Sequence, residues 1–313
     1  MSPDVAASIR ARLLNQAKAK GEEFELTLTR FAAERLLYRL GESKARNRCI
    51  LKGASLLSVW LSDPYRATRD MDVLASGPAD EEAIRSLVTE ICAVPCPEDG
   101  IRFDLSNLVV ETIRPNEEYK GKSARFRASL GSARISVKLD VGFGDALVTG
   151  PEEIVYPTLL EGLPPPRLRA YPREAAVAEK FEAMVKLGTN NSRMKDFHDI
   201  WALAGAFAFD GPLLRQAVSA CFGRRETPWT VGTPPVLTTA FYQGPELETR
   251  WRNYLKAGTV LVSPPAQFEV IGERIAQFLG PVRESIVLGT SFERTWLPGG
   301  PWELSPIAQE GKL

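Results

Sequence analysis

The sequence predicts an α+β protein, with a mixed sheet and flanking helices in its first half and a mostly helical second lobe. Three observations lead to this prediction. Apolar residues recur at helical spacing in residues 4–20 and 24–40. Polar and apolar residues alternate, as in strands, over residues 101–141. Helical periodicity returns after a cluster of prolines. We therefore place a core at residues 1–160 and a helical lobe with an irregular tail at 161–313.

The order of the elements can be predicted more closely. Residues 46–52 are predicted to form a strand, 54–61 a helix and 71–74 a second strand, with a tight turn at Gly53 between the first two. A helix at 79–94 is followed by strand candidates at 101–105, 108–113, 124–130 and 135–141, with a hairpin turn at 130–133. The predicted helices of the second lobe are about 172–188, 194–207, 211–222, 246–256 and 266–279. The tail from Ser285 lacks periodicity.

Composition narrows the class of protein. The chain has 313 residues, of which 44% are hydrophobic and 25% charged, which is ordinary for a globular protein. Its 39 basic and 39 acidic residues cancel, so any surface for nucleic acid has to be local. Four cysteines without a CxxC pair favour free thiols in a reducing compartment. Without a signal pattern or a long apolar stretch, we expect a cytoplasmic protein with no membrane partner.

Two aspartates separated by one residue follow the predicted turn. Asp70 and Asp72 point to one side of a strand, because side chains alternate between its faces. Carboxylates held in this way suit Mg²⁺, which binds one or two of them together with nucleotide phosphates. The preceding run from Lys52 through Gly53 to Ser55 offers backbone N–H groups and a hydroxyl to phosphates. We interpret the combination as a nucleotidyltransferase site, although an Asp-x-Asp pair alone is usually a solvated strand end.

A third carboxylate lies on a later strand. Asp140 is predicted to face away from the apolar side formed by Ile135, Val137 and Leu139. In two-metal nucleotidyl transfer, a third acid bridges the metal ions or acts as a base. Lys138 shares the face of Asp140 and is its candidate counter-ion. The alternative is an exposed acid on an edge strand.

A second cluster of charged residues lies in the predicted helical lobe. Arg193 and Lys195 come at the start of a helix, where the helix dipole already favours anions, and they suit a triphosphate. Asp196 and Asp199 are three residues apart and face the same way, so they are positioned to pair with Lys180 or Arg193. The alternative is a salt-bridge cluster between two helices.

Two further features have competing interpretations. His198 is the only histidine and has no nucleophile-elbow motif beside it, so we expect a residue on a helix surface or between lobes. A local basic cluster with interleaved aromatic residues is either a strip that contacts phosphate backbone or a solvated hairpin. This cluster consists of Lys120, Lys122, Arg125, Arg127 and Arg134, with Tyr119 and Phe126 among them.

The motifs resemble, in their order, the AbiEii/AbiGii nucleotidyltransferase toxins, also called MenT-like toxins, over about residues 25–205. The resemblance rests on residues 50–57, Arg66-x-Thr68-x-Asp70-x-Asp72, residues 135–144 and the segment from Lys180 to Asp199. It implies a polymerase β-like nucleotidyltransferase fold and a Mg²⁺- and NTP-dependent toxin of a type IV toxin–antitoxin or abortive infection system. It also implies an AbiEi-type antitoxin as partner and the 3′ end of tRNA as acceptor.

The residues and the resemblance together give a set of predicted site residues. The predicted catalytic residues are Asp70, Asp72, Asp140, Lys180 and Asp196, and the first three are the predicted Mg²⁺ ligands. The predicted nucleotide-binding residues are Lys52, Gly53, Ser55, Arg66, Thr68, Arg193 and Lys195. Two alternatives stay open: the same chemistry on a small molecule or a protein hydroxyl, and an inactive module that binds an antitoxin.

Overall fold

The computed structural model describes residues 4–61, 68, 70–113, 121–145, 147–229, 232–257 and 264–305. They belong to two compact units, one within residues 1–145 and 151–171 and the other within 146–150 and 172–313. Within the described ranges, each helix is too short or too polar to cross a bilayer. The predicted site residue Arg66 and the basic-cluster members Tyr119 and Lys120 lie outside the described residues.

The first unit contains four helices and a seven-stranded mixed sheet among its described residues. The helices are α1 (Val5–Lys20), α2 (Phe24–Glu42), α3 (Leu57–Trp60) and α4 (Glu81–Cys92). The strands are β1 (Cys49–Lys52), β2 (Met71–Ala75), β3 (Ile101–Ile113), β4 (Gly121–Leu130), β5 (Ala133–Phe143), β6 (Glu152–Val155) and β7 (Arg167–Ala170). Their order is β3-β4-β5-β2-β1-β7-β6. The pairs β2–β5 and β1–β7 are parallel, and the other neighbours are antiparallel.

Alternation along the strands gives the sheet one apolar and one polar face. On β4 and β5 the apolar face carries buried side chains such as Phe126, Val137 and Leu139. Helices α2 and α4 pack on this face. Burying a large apolar side chain contributes about 1.5–3 kcal/mol, so the register that turns these residues inward is strongly favoured. The polar residues between them, including Asp140, are thereby fixed on the opposite face.

Most predicted elements of the first unit are confirmed, with four differences. The predicted helix at 54–61 is a 3₁₀ turn over Gly53–Leu56 followed by the short helix α3. Lys44–Arg48 forms a 3₁₀ turn instead of the start of β1, and the Ser43 hydroxyl caps it by accepting from Ala45 N at 3.2 Å. Strand β3 is continuous, with a register shift between Asp104 and Val109 that divides its alternation pattern. Strands β6 and β7 were not predicted, because the prolines around them indicated a junction between the two lobes. Prolines at strand ends remove no ladder hydrogen bond within the strand.

The second unit is mostly helical and also holds a small sheet. Its helices are α5 (Arg173–Leu187), α6 (Met194–Ala206), α7 (Gly211–Arg224), α8 (Thr239–Tyr242), α9 (Pro245–Lys256) and α10 (Phe268–Leu288). Its strands are β8 (Phe209–Asp210), β9 (Arg294–Trp296) and β10 (Trp302–Leu304), in the order β10-β9-β8. Trp251, Phe268 and Phe278 lie in its core.

The predicted irregular tail from Ser285 is wrong at residues 285–288, 294–296 and 302–304. Helix α10 extends to Leu288, and β9 and β10, which follow it in the chain, pair with each other. Trp296 is buried and donates from Nε1 to the Ala204 carbonyl at 2.7 Å, and its ring lies 4.9 Å from that of Phe278. Strands of three residues are too short to show alternation, so tertiary packing of tryptophans determines this segment.

Candidate active site

Lys52, Asp72 and Asp140 lie side by side on three neighbouring strands. Lys52 of β1 is paired with Asp72 of β2, and Asp72 is paired with Asp140 of β5. Residues directly opposite one another in a sheet share a face, with Cβ atoms about 4.5–5.5 Å apart. The predicted carboxylates Asp72 and Asp140 are therefore neighbours on the polar face, and we call Lys52, Asp72 and Asp140 the carboxylate row. The alternative of an edge strand is wrong for Asp140, because β5 lies between β4 and β2.

The turn after β1 lies directly against the Asp72 carboxylate. Gly53 begins a short 3₁₀ turn, Gly53–Leu56, and has φ of +75°. A Cβ atom on Gly53 would lie 2.3 Å from Asp72 Oδ2. The turn thus requires glycine for its conformation and for the close approach. Ser55 lies in the same turn and is buried, so contact with a phosphate through its hydroxyl is less direct than predicted.

Replacing Gly53 by alanine is expected to cost stability and to disable the site. A non-glycine residue at positive φ costs about 1–3 kcal/mol. The added methyl group and the Asp72 carboxylate also cannot occupy the same space, so Asp72 has to move. Gly150→Ala is the matched control, because Gly150 has the same φ of +75° and nothing within 4 Å of its Cβ position. Urea unfolding and nucleotide-transfer rates would be measured for both. Equal loss of activity in the two variants contradicts a specific role for the Gly53–Asp72 contact.

Lys138 connects two of the predicted metal ligands. Its Nζ donates to Asp140 Oδ2 at 2.8 Å and to Asp70 Oδ2 at 3.1 Å. Burial alone disfavours the ammonium ion, but these hydrogen bonds outweigh burial and raise the pKa of Lys138. The counter-ion role predicted for Lys138 agrees with this contact. Asp70 itself lies just before β2 with 49% of its side chain exposed, and Lys138 links it to Asp140.

The carboxylates fit a divalent cation in chemistry, although they are not arranged as a closed cage. Within the described residues, no three Asp, Glu, His or Cys side chains are grouped closely enough to hold a metal ion. Asp70, Asp72 and Asp140 are thus not gathered as a ligand triad. Asp140 Oδ1, however, is buried and has no hydrogen-bond partner among the described residues. A buried carboxylate oxygen of this kind is costly unless a ligand satisfies it, and hard oxygen donors suit Mg²⁺.

Lys52 is held next to Asp72 by two residues that the sequence analysis did not assign. Its Nζ donates to Asp145 Oδ2 at 2.5 Å and lies 3.3 Å from the Tyr171 hydroxyl, which donates to the same Asp145 oxygen at 2.9 Å. Asp145 follows the Gly-Phe-Gly run at the end of β5. A polar residue directly after a strand could have been predicted as a site residue. Tyr171 gave no signal. Just before β2, Thr68 Oγ1 donates to the Asp70 carbonyl at 3.2 Å.

In the second unit, the predicted cluster is a buried ion-pair network. Lys180 Nζ donates to Asp196 Oδ1 at 3.1 Å and to Asp199 Oδ2 at 2.6 Å. Arg193 Nε donates to Asp196 Oδ2 at 2.5 Å. Burial raises the pKa of Asp196, but the charges of Lys180 and Arg193 outweigh it and hold that pKa below its usual value. The pairing proposed from spacing is therefore present, and it joins α5 to α6.

A cavity of about 530 Å³ opens at the start of α6. It is lined by Ser192, Arg193, Met194, Lys195, Arg250, Asn253 and Tyr254. Its three basic side chains and the helix N-terminus suit a ligand that carries phosphate. Arg193 and Lys195 were predicted from the sequence, whereas Arg250, Asn253 and Tyr254 of α9 were not. Their i, i+3, i+4 spacing on one helix face was an available signal.

Of the two places predicted for His198, the helix surface is wrong, and a place between lobes stays a prediction. Its side chain is fully buried, with Nδ1 at 2.8 Å from the Tyr254 hydroxyl. The rings of Trp201 and Trp251 lie about it, at 6.2 and 6.0 Å between centroids. Most of α6 is buried, and a single histidine in such a helix carries no periodic signal of its own.

The mixed sheet, the carboxylate row and the glycine turn define the class of protein, a nucleotidyltransferase. The family model described as "Nucleotidyl transferase AbiEii toxin, Type IV TA system" matches residues 35–274. The chain belongs to this AbiEii family. It is thus a nucleotidyltransferase toxin of a type IV toxin–antitoxin system, as the motifs indicated.

The solved structure of MenT4 supports the α+β class. MenT4, the nucleotidyltransferase toxin Rv2826c from Mycobacterium tuberculosis H37Rv, is 19% identical, with a TM-score of 0.56. The match covers 90% of this chain and 99% of that one. JHP933 from Helicobacter pylori is 14% identical over 82% of this chain and 92% of its own, with a TM-score of 0.47. At these identities the likeness to MenT4 concerns the fold alone. No curated protein sequence matches the chain.

Proposed function

We propose that this toxin transfers nucleotides from NTP to the 3′ end of an RNA, with tRNA as the acceptor and Mg²⁺ as the cofactor. One observation carries the proposal: Asp72 and Asp140 are neighbours beside the Gly53 turn, and Asp140 Oδ1 is a buried acceptor without a partner among the described residues. Family membership supports the reaction class. The acceptor rests on the resemblance to toxins that modify tRNA.

The residues of the row have distinct parts in the proposed reaction. Asp72 and Asp140 would hold Mg²⁺, which supplies charge neutralisation and Lewis acidity at the triphosphate. The RNA 3′ hydroxyl attacks the α-phosphorus, a P–O bond forms, and the bond to the β-phosphate breaks as pyrophosphate leaves. Asp140 would either take part in holding the cation or accept the proton of the attacking hydroxyl. Lys138 neutralises Asp70 and Asp140 while the site is empty of nucleotide.

Other predicted residues are assigned to nucleotide binding. The Gly53 turn offers backbone N–H groups, and Lys52 is fixed beside it by Asp145. In the second unit, Arg193 and Lys195 bind phosphate at the cavity before α6. Lys180 and Asp196, which we retain as candidate active-site residues, act there by positioning the Arg193 guanidinium. An AbiEi-type antitoxin as partner and a cytoplasmic location complete the proposal.

The acceptor is tested by supplying several candidates at once. Purified protein would be incubated with total tRNA, α-³²P-labelled NTPs and Mg²⁺, and the products separated on a denaturing gel. We expect a labelled tRNA band that disappears on addition of EDTA, and sequencing of 3′ ends then identifies the added base. Label on protein or on a small molecule favours the alternative acceptors. No label on any acceptor, together with no heat of NTP binding in calorimetry, favours an inactive antitoxin-binding module.

A further inference from the structure

Exposed arginines continue the polar face of the sheet away from the carboxylates. Arg125 and Arg127 on β4 and Arg134 on β5 are exposed. Arg125 is paired with Lys138 across the strands, and Lys138 is two residues from Asp140, so all of them share the face of Asp140. We call Arg125, Arg127 and Arg134 the arginine track.

The arginine track has a length suited to a chain of phosphates. Arg134 and Asp140 are six positions apart on β5, which corresponds to about 20 Å along a strand. A stacked nucleic-acid strand advances about 3.4 Å per nucleotide. The track and the carboxylate row together span about six nucleotides of one strand by this measure. A strand lying along the track therefore reaches Asp72 and Asp140.

The arginines contribute little to the stability of the sheet. Arg125 lies directly opposite Lys138, and like charges in this position destabilise a sheet. Arg125 pairs with Glu111 at 2.8 Å, but both side chains are more than half exposed, at 55% and 52%. Exposed pairs of this kind contribute little to stability. Arg127 lies opposite the exposed Asp104. Replacing Glu111 and Asp104 by phosphates as partners of the arginines thus costs the sheet little stability.

The arrangement also determines what the surface can recognise. Phe126 is buried on the apolar face against the ring of Phe103, at 6.1 Å between centroids, so it is not available to stack on a base. Lys122, a member of the predicted basic cluster, faces the same apolar side and donates to Thr112 Oγ1 at 2.9 Å. Among the described members of the basic cluster, those that remain on the polar face are the three arginines, which contact phosphate without regard to sequence.

We propose that the arginine track binds the phosphate backbone of the acceptor nucleic acid and directs its 3′ end to the Asp72–Asp140 pair. The proposal rests on the proposed function, since it concerns the acceptor of the same site. Its occupant is a single strand or the end of a stem, recognised by charge. The track is the local basic surface that a chain with zero net charge needs for such a partner.

The test separates binding from catalysis. Binding of a fluorescein-labelled RNA hairpin with a single-stranded 3′ tail would be measured by anisotropy, in EDTA and without NTP, at several salt concentrations. For R125Q/R127Q/R134Q we expect affinity to fall roughly tenfold or more at about 0.1 M salt, and the slope of log K against log salt to shrink by about 2. The single variants Arg125→Gln and Arg127→Gln each shrink it by about 0.7, which keeps the test independent of the folding of the triple variant.

A charge-matched control uses exposed basic residues on α1, on the other side of the sheet. R10Q/K18Q/K20Q removes the same charge and is expected to bind RNA as the wild type does. In transfer assays the track variant should raise KM for RNA and keep kcat. If the track variant binds with unchanged affinity and salt slope while the wild type labels RNA, the track is overturned and the proposed function stands. If the wild type neither binds nor labels RNA, the RNA acceptor and the track are both overturned.

Discussion

Asp72→Asn is expected to abolish nucleotide transfer while leaving the fold intact. Asp72 is the central member of the row, with Lys52 on one side and Asp140 on the other. Its carboxylate lies against the Gly53 turn, where phosphates are proposed to bind. Asparagine keeps the shape of the side chain and removes the charge that a cation requires. Because losing one pre-organised electrostatic group costs roughly 10²–10³-fold in rate, we expect a fall of at least that size.

Stability should not follow activity in this variant. The substitution conserves volume and relieves crowding between neighbouring carboxylates, so the free energy of unfolding should change by less than about 1 kcal/mol. Glu153→Gln is a suitable control, since Glu153 is an exposed acid on the same sheet that pairs with exposed Arg46. Transfer rates would be measured with labelled NTP and stability by urea unfolding. Asp72→Asn with the transfer rate of Glu153→Gln would contradict the assigned site.

Lys180→Met is expected to destabilise the second unit strongly. The ammonium contacts two carboxylates whose side chains are 1% and 0% exposed, Asp196 and Asp199. Removing one partner of a buried ion pair costs about 3–5 kcal/mol, because the remaining charges are left poorly compensated. The loss should be greatest near neutral pH. As pH falls through the depressed pKa of Asp196, the carboxylate is protonated in both proteins and the difference between them should shrink.

Two further variants separate charge from packing. Lys186→Met makes the same chemical change at an exposed position of the same helix and should cost less than about 1 kcal/mol. Adding Asp199→Asn to Lys180→Met should recover part of the lost stability, because it removes one of the buried charges. Urea unfolding monitored by tryptophan fluorescence would measure all three. If the double variant recovers nothing, the role of Lys180 is packing and the ion-pair interpretation is wrong.

Local sequence patterns predicted the parts of the site that depend on neighbouring residues. The i, i+2 relation between Lys138 and Asp140 follows from strand alternation alone, and their contact at 2.8 Å agrees with it. The same holds for Asp196 and Asp199 on α6, whose i, i+3 spacing predicted that both face Lys180 or Arg193, in agreement with their contacts to Lys180. These predictions succeeded because side-chain direction within one element is a property of the backbone.

Such local patterns could not predict contacts between elements that are distant in the chain. Alternation within β2 and β5 gives the face of each side chain but not which residues of the two strands lie opposite one another, and that pairing makes Asp140 the neighbour of Asp72. The links from Lys52 to Asp145 and Tyr171 depend in the same way on how separate elements pair. The buried position of His198 and the small sheet beyond α10 depend on packing of aromatic side chains from several helices.

The sequence by itself determined the class of fold, the residue types of the site and their order, because periodicity and motif spacing are local properties of the chain. The tertiary structure decided which carboxylates are neighbours, that Lys138 joins Asp70 to Asp140, and that the arginine track shares their face. Those relations follow from inter-strand register, which is fixed by burying the apolar face of the sheet under α2 and α4.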